Sequence, residues 1–260
     1  MSTVTNKNII CSDSLLSKSE VIDLCVILPA YNEGVAIRKN LLTASKIISK
    51  FSQSYRLIAV NDGSKDNTLS EIQAACNIDS HITYISYKPN GGKGNAIVTG
   101  VSFANANYIA FLDSDLELSP AMLKVFLQSL KEKKADIAIG SKLHKQSQLE
   151  YPFFRRFLSM GYYFFLKILF HLKIKDTQTG IKLFKSEIIK PICDTLETNG
   201  FAFDIEILAK ATKRGYKIIE MPIKLKFNRS RSEKSRFTLK IIANIFKETI
   251  NVKKSLKNFK

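Results

Sequence analysis

YIAFLDSDLE, residues 108–117, is a short apolar run that stops at two carboxylates, Asp113 and Asp115, with Glu117 just beyond. Apolar and aromatic residues that give way to an acidic turn read as a β-strand ending in a polar loop. The pattern recurs along the first half of the chain. β-rich runs at 24–29, 56–60, 82–86, 108–112 and 136–140 alternate with helix-patterned stretches at 33–52, 66–77, 93–105 and 120–134. That alternation predicts an α/β fold, built of βαβ units around a mostly parallel sheet flanked by helices. Ser119 ahead of Pro120 is a cap followed by a first-turn proline, which starts the last of these helices.

In an open parallel sheet, ligands bind beyond the carboxyl ends of the strands. Four loops stand there: Pro29-Ala30-Tyr31-Asn32-Glu33, Asn61-Asp62-Gly63-Ser64, Pro89-Asn90-Gly91-Gly92-Lys93-Gly94 and Asp113-Ser114-Asp115-Leu116-Glu117. Two carboxylates bracketing one residue suit a hard cation, Mg²⁺ or Mn²⁺, with positions left for substrate phosphates. Asp is also common in turns, where it bonds locally. Asp62 before Gly63 can accept from the ring N–H of a uracil or guanine, or can lead into a helix capped by Ser64 or Asp66. The Gly91–Gly94 loop can bring backbone N–H groups and the Lys93 ammonium to a diphosphate, or be a plain turn; it lacks the P-loop pattern. Four such loops at one edge make a site.

Beyond Ser141 the chain changes character. The net charge of +17 is carried almost wholly by the residues from Lys142 onward. Such a basic half suits an anionic lipid surface, nucleic acid or a solvated face. Residues 157–172 are aromatic and apolar but include Lys167 and His171, too short and too charged for a spanning helix, which needs about 20 apolar residues. They read either as an interfacial helix over about 155–174 or as a buried core helix. In 236–260, Leu239, Ile242, Ile245, Phe246 and Ile250 recur at helical spacing, and Lys240, Lys247 and Lys254 every seventh residue. This predicts a basic amphipathic helix, lying on a membrane, packed on the domain or forming an oligomer interface. Between these segments, 180–184 and 217–227 read as strands, 186–195 and 203–214 as helices. Residues 1–22 are polar and are expected to stay outside a domain spanning 23–235. Four scattered cysteines without metal-ligand spacing, and no stretch like a secretory signal, predict a reducing, cytoplasmic setting.

Taken together the motifs resemble glycosyltransferase family 2, and within it the polyprenyl-phosphate hexose transferases. The resemblance is carried by VILPAYNE at 26–33, VNDGSKDNT at 60–68, NGGKGNA at 90–96, FLDSD at 111–115, DTQTGIKLF at 176–184, FAFDIEIL at 201–208 and GYKIIEMPI at 215–223. It implies a GT-A fold and an inverting transfer of a hexose from a nucleoside-diphosphate sugar to a polyprenyl phosphate at a membrane surface. UDP-glucose is favoured as donor over GDP-mannose. Position by position, Pro29, Tyr31, Glu33, Asp62, Lys93, Asp113 and Ser114 line the donor pocket. Asp113, Asp115 and Glu117 meet the metal, although Glu117 stands where mannose synthases commonly carry Gln. Asp115, Gln178 and Asp204 are the implied catalytic residues, and Lys142, Arg155, Arg156 and Thr179 the acceptor-phosphate contacts.

Two points of chemistry qualify that transfer of roles. A lipid phosphate is already anionic at neutral pH and needs no general base, so Asp204 would orient groups with such an acceptor; alternatively Asp204 and Glu206 are an exposed helix face. Lys142 follows Gly140-Ser141 where mannose synthases carry Arg, and Lys lacks the bidentate fork. An acceptor that is a surface polysaccharide or another sugar is the second enzyme reading. A basic nucleic-acid module built on Asn228–Phe237, or a non-catalytic lipid binder, would not require acidic loops gathered at strand ends, so no nucleic-acid partner is expected.

Overall fold

The computed structural model describes residues 9–12, 20–133, 135–149, 167, 169–170, 174–200, 202–225 and 239–258. Its strands are β1 (Ile10–Cys11), β2 (Ile22–Ala30), β3 (Tyr55–Asp62), β4 (Ile82–Tyr87), β5 (Ala106–Leu112), β6 (Ile137–Ser141), β7 (Gln148–Leu149), β8 (Ile181–Lys185), β9 (Ile218–Pro222) and β10 (Lys224–Leu225). The helices are α1 (Ile37–Ile48), α2 (Thr68–Ile78), α3 (Lys93–Phe103), α4 (Met122–Lys133), α5 (Ser186–Cys193), α6 (Phe203–Lys213) and α7 (Leu239–Asn258).

Eight strands form one sheet in the order β1-β4-β3-β2-β5-β8-β6-β9. Strands β4, β3, β2 and β5 run parallel, as do β6 and β9, while β8 lies antiparallel between β5 and β6. The chain leaves β2 toward β3 on one side and reaches β5 on the other, so the strand order reverses at β2. A crevice opens at such a reversal, beyond the strand ends.

Burial follows the period of two expected of strands covered on both faces. In β2, Leu24, Val26 and Leu28 face a core shared with α1, α2 and α4. Cys25 and Ile27 face the opposite core, shared with α3, α5 and α6. Helix α1 packs through Ile37, Leu41, Ala44 and Ile48, an i, i+4, i+7, i+11 stripe, while its exposed face carries Arg38 and Lys39. The result is three layers, helix on sheet on helix.

Two features differ from the sequence reading, and a third, the packing of α7, is one of the alternatives it left open. Ile10 and Cys11, in the stretch expected to stay outside the fold, pair antiparallel with Ser86 and Ile85 at the edge of the sheet. The run expected as one strand over 217–227 is split at Ile223 into β9 and β10, and β10 pairs with β7 in a separate two-stranded sheet. Helix α7 packs on α6: Val252 is buried with Ala202 and Ile205, while Lys247 and Lys254 face solvent. Most of the proposed 155–174 helix, with Arg155 and Arg156, lies outside the described residues. Among the described residues no helix is long and apolar enough to cross a membrane.

Candidate active site

The ends of β2 and β3 are tied to each other before any ligand is considered. Ser64 Oγ accepts from the backbone N–H of Asn32, and Thr68 Oγ1 from that of Glu33. Asp66 accepts from Gly34 N–H and from both the backbone and hydroxyl of Thr68. Asn32 holds a left-handed backbone, φ 55°, which Asn tolerates better than most residues, and its Oδ1 accepts from Lys65 N–H at 2.9 Å. Small polar side chains here replace backbone pairing at the strand ends. Pro29, Tyr31 and Glu33 consequently sit half-buried on a fixed turn.

Asp62 holds the loop that follows β4. It is buried, and its Oδ1 accepts from Gly91 N–H at 2.7 Å while Oδ2 accepts from Gly92 N–H and Asn90 Nδ2, both at 2.9 Å. The two glycine N–H groups expected to face a diphosphate are therefore committed to Asp62. Gly94 N–H goes to Asn199 O at 3.0 Å. The cation of the loop, Lys93, reaches Asp113 instead.

Lys93 Nζ meets Asp113 Oδ1 at 2.5 Å, and the Asp113 side chain is 42% exposed. Burial works against the Lys93 ammonium, but Asp113, Asp204 and Asp115 outweigh it and hold its pKa above the ordinary lysine value. Asp113 packs over Gly180, where a Cβ would collide with its carboxyl group. This close approach follows from β8 running antiparallel beside β5, which sets Gly180, just before β8, against the residue that ends β5. After Asp113, Ser114 is buried and its carbonyl accepts from Asn40 Nδ2 at 2.8 Å. Leu116 adopts φ 53°, a left-handed conformation that costs a bulky residue about 1–2 kcal/mol. The resulting turn brings Glu117 N–H to Asp115 Oδ1 at 3.1 Å and leaves the Glu117 side chain exposed.

The second half of the chain adds charges from beneath. Lys182 sits in β8 between Phe111 and Ile139, only 2% exposed, and its Nζ lies 2.7 Å from Asp204 Oδ1 and 2.6 Å from Thr179 O. Asp204 belongs to the first turn of α6. Burial raises its pKa above the ordinary carboxylate value although Lys182 and Lys93 pull it back. A cavity of about 10 Å³ is bounded by Pro29, Lys93, Asp113, Thr179, Lys182 and Asp204. Two cations and two carboxylates from four separate segments thus meet where the sheet changes direction. The exposed-face alternative for Asp204 and Glu206 is overturned, since both are buried. Glu206 is paired with Lys210 at 2.6 Å and accepts from Glu197 and Thr198 N–H.

Asp176 organises the segment that leads into β8. Its carboxylate accepts from Lys142 N–H at 2.8 Å and from Gln178 N–H at 3.2 Å, and the Lys142 ammonium lies 3.8 Å away. Ser141, Thr177 and Thr179 around it are buried, and among the described residues their hydroxyls have no hydrogen-bond partner. Lys142, Gln178 and Thr179 therefore stand together. Lys182 and Asp176 escaped the sequence reading as site residues. The signal for Lys182 was a lysine inside an apolar strand run, IKLF, which in a sheet covered on both faces demands a buried partner.

Asp113 and Asp115 fit a hard divalent cation: they are oxygen donors from one strand end, too few to close the shell, beside an open side. Among the described residues no group of three or more His, Cys, Asp or Glu side chains gathers as an all-protein metal cage. Burial pushes the Cys25 thiol up to about 12 and Cys76 up to about 11, so neither is a thiolate nucleophile at neutral pH.

Comparison with known proteins agrees with this architecture. The family model described as glycosyl transferase family 2 matches residues 25–193. The chain is 32% identical over 229 residues to a dolichyl-phosphate beta-glucosyltransferase of Dictyostelium discoideum, covering 81% of this chain and 69% of that protein. It is 33% identical to the dolichyl-phosphate beta-glucosyltransferase of Saccharomyces cerevisiae, covering 78% and 67% respectively. Among solved structures it resembles glucosyl-3-phosphoglycerate synthase of Mycobacterium tuberculosis in complex with Mn²⁺, UDP and glucosyl-3-phosphoglycerate. That match has a TM-score of 0.67 at 16% identity and covers 89% of this chain and 78% of the other. The likeness places the fold as GT-A.

Proposed function

The chain belongs to glycosyl transferase family 2, and from that premise we propose that it transfers a hexose from a nucleoside-diphosphate sugar to a polyprenyl phosphate, undecaprenyl or dolichyl, at a membrane surface. The observation that carries the reading is the meeting of Lys93, Asp113, Lys182 and Asp204 at the strand reversal, with Asp113 half open to the crevice. UDP-glucose is the preferred donor in this proposal, in keeping with the glucosyltransferases that the chain is similar to.

In the reaction a phosphate oxygen of the acceptor attacks the anomeric carbon. The bond from that carbon to the donor diphosphate breaks, and its electron pair leaves with the diphosphate, so the product is inverted. Lys93 offers positive charge to the diphosphate. Asp113 and Asp115 would hold Mg²⁺ or Mn²⁺, which when bound neutralises charge on the leaving diphosphate. Pro29, Tyr31, Glu33 and Ser114 border the donor. Asp62 supports the pocket by fixing the Gly91–Gly92 turn, and recognition of a base ring N–H would have to share oxygens already engaged there.

The acceptor's negative charge removes the need for a proton acceptor. Asp204, buried against Lys182, accordingly sets the charge balance beneath the anomeric centre. On the acceptor side, Lys142 and Thr179, with Arg155 and Arg156, answer the lipid phosphate, and Gln178 lies toward the sugar. The exposed basic face of α7 suits peripheral attachment to an anionic, cytoplasmic leaflet, at roughly 1 kcal/mol per basic residue near such a surface.

The test is incubation with labelled UDP-glucose, UDP-N-acetylglucosamine or GDP-mannose, plus polyprenyl phosphate and Mn²⁺, followed by organic extraction. Label from UDP-glucose is expected in the organic phase. In Asp113→Asn/Asp115→Asn the transfer is expected to fall by about 10²-fold or more. Label confined to a water-soluble glycan would overturn the lipid acceptor, and full activity of the double variant in EDTA would overturn the metal.

A further inference from the structure

Helix α6 carries Asp204 in its first turn but begins poorly. Its N-cap is Ala202, which has no side chain able to satisfy the exposed N–H groups of the first turn. The missing acceptor comes from 46 residues further along the chain: Glu248 of α7 accepts from Ala202 N–H at 3.2 Å. The same carboxylate lies so close over Gly200 that a Cβ there would collide with it. An anion at a helix N-terminus is also favoured by the helix dipole.

The turn that Glu248 seats reaches directly to the donor loop. Asn199 O accepts from Gly94 N–H at 3.0 Å. A Cβ on Gly92, whose φ is 89°, would strike Asn199 O, and one on Gly94 would strike Phe203 and the Thr198 carbonyl. The Gly-rich loop and the backbone of Thr198, Asn199 and Gly200 are thus packed together, with Lys93 held between two glycines that have no slack. Lys93 and Asp204 are the two site groups attached to the opposite sides of this junction.

We infer that Glu248 is a positioning residue: from the C-terminal helix it caps α6 at Ala202 and holds Thr198, Asn199 and Gly200 against Gly92 and Gly94, which sets Lys93 and Asp204 relative to Asp113. The consequence for transfer rests on the function proposed above, whereas the coupling itself does not. Docking of α7 is separable from the cap, because Val252 anchors the helix through Ala202 and Ile205, and the Lys213 ammonium bonds Leu256 O at 2.8 Å.

The experiment compares Glu248→Ala, Glu248→Gln and Val252→Ala in the full chain. Amide hydrogen exchange on the free protein is read first. Glu248→Ala is expected to speed exchange at Ala202 and Gly94 by about 10-fold or more, while Glu248→Gln, which keeps an acceptor oxygen, stays close to wild type. In transfer assays Glu248→Ala is expected to lower kcat about 10-fold with KM for the acceptor little changed, and Glu248→Gln to restore it. Val252→Ala is expected to lower Tm at least as far as Glu248→Ala and to leave kcat within about twofold. Unchanged exchange at Gly94 in Glu248→Ala would overturn the coupling. Equal losses of kcat in Val252→Ala and Glu248→Ala would reduce Glu248 to ordinary helix packing. A wild-type protein that transfers no hexose refutes the proposed function, and the exchange measurement still decides the coupling.

Discussion

The loops after β2, β3 and β4 and the region joining β8 to α6 face the same crevice but are built from opposite materials. The first is a lattice of Asn, Asp, Ser and Thr side chains bonded to backbone N–H groups of neighbouring loops, such as Ser64 with Asn32 and Asp62 with Gly91 and Gly92. The second holds full charges under the sheet, Lys182 with Asp204 and Lys210 with Glu206, all buried. A lost bond in the lattice leaves others and sometimes water to compensate. A lost partner in the buried region leaves an ion with nowhere to go. The first region is expected to tolerate the loss of one bond, and the second is not.

The sharpest way to break the contrast is Lys182→Met. Stranding Asp204 is expected to cost about 3–5 kcal/mol in denaturant unfolding, while Lys182→Met/Asp204→Leu recovers most of that stability without recovering transfer. If the single variant unfolds like wild type, the pair is not an electrostatic unit.

Asp62→Asn tests the lattice. A carboxamide has one accepting oxygen where three donors now converge, so a loss of about 2 kcal/mol is expected, with faster exchange at Gly91 and Gly92. A loss equal to that of Lys182→Met would erase the distinction between the two regions.

Asp136 supplies the smallest and most revealing case, because its partner Lys185 ends β8 yet the pair is partly exposed. Burial pushes its carboxyl up, but Lys185 and the Lys217 N–H outweigh this and hold its pKa below the ordinary value. A depressed folded pKa contributes stability above the unfolded value, and that contribution disappears as pH falls through the folded one. Asp136→Asn is expected to cost about 1 kcal/mol at neutral pH. The difference from wild type should close on acidification, as followed by unfolding midpoints across pH.

The same divide explains what the sequence discloses. Strand positions in the parallel half follow apolar runs bounded by polar loops, so β2 through β6 and the crevice at their ends are legible, as are Asp113, Asp115 and Lys93. Roles that depend on what a side chain meets far away are not. Asp62 looked available to a base until the Gly91–Gly92 loop folded back onto it. Lys182 looked like any strand lysine until α6 delivered Asp204 at its tip, and nothing near Glu248 in sequence points to Ala202. The antiparallel placement of β8 is equally silent in a five-residue run, although it is what brings Gly180 against Asp113.

Strand β1 is only Ile10–Cys11, yet it occupies the outer hydrogen-bonding side of β4, with Ser12 N–H continuing to Tyr84 O at 3.1 Å. A bare parallel edge is an invitation for another chain to add a strand. Ile10 and Cys11 cover that edge at Ser86 and Ile85, so removing them is expected to leave it open to pairing with a strand of another chain.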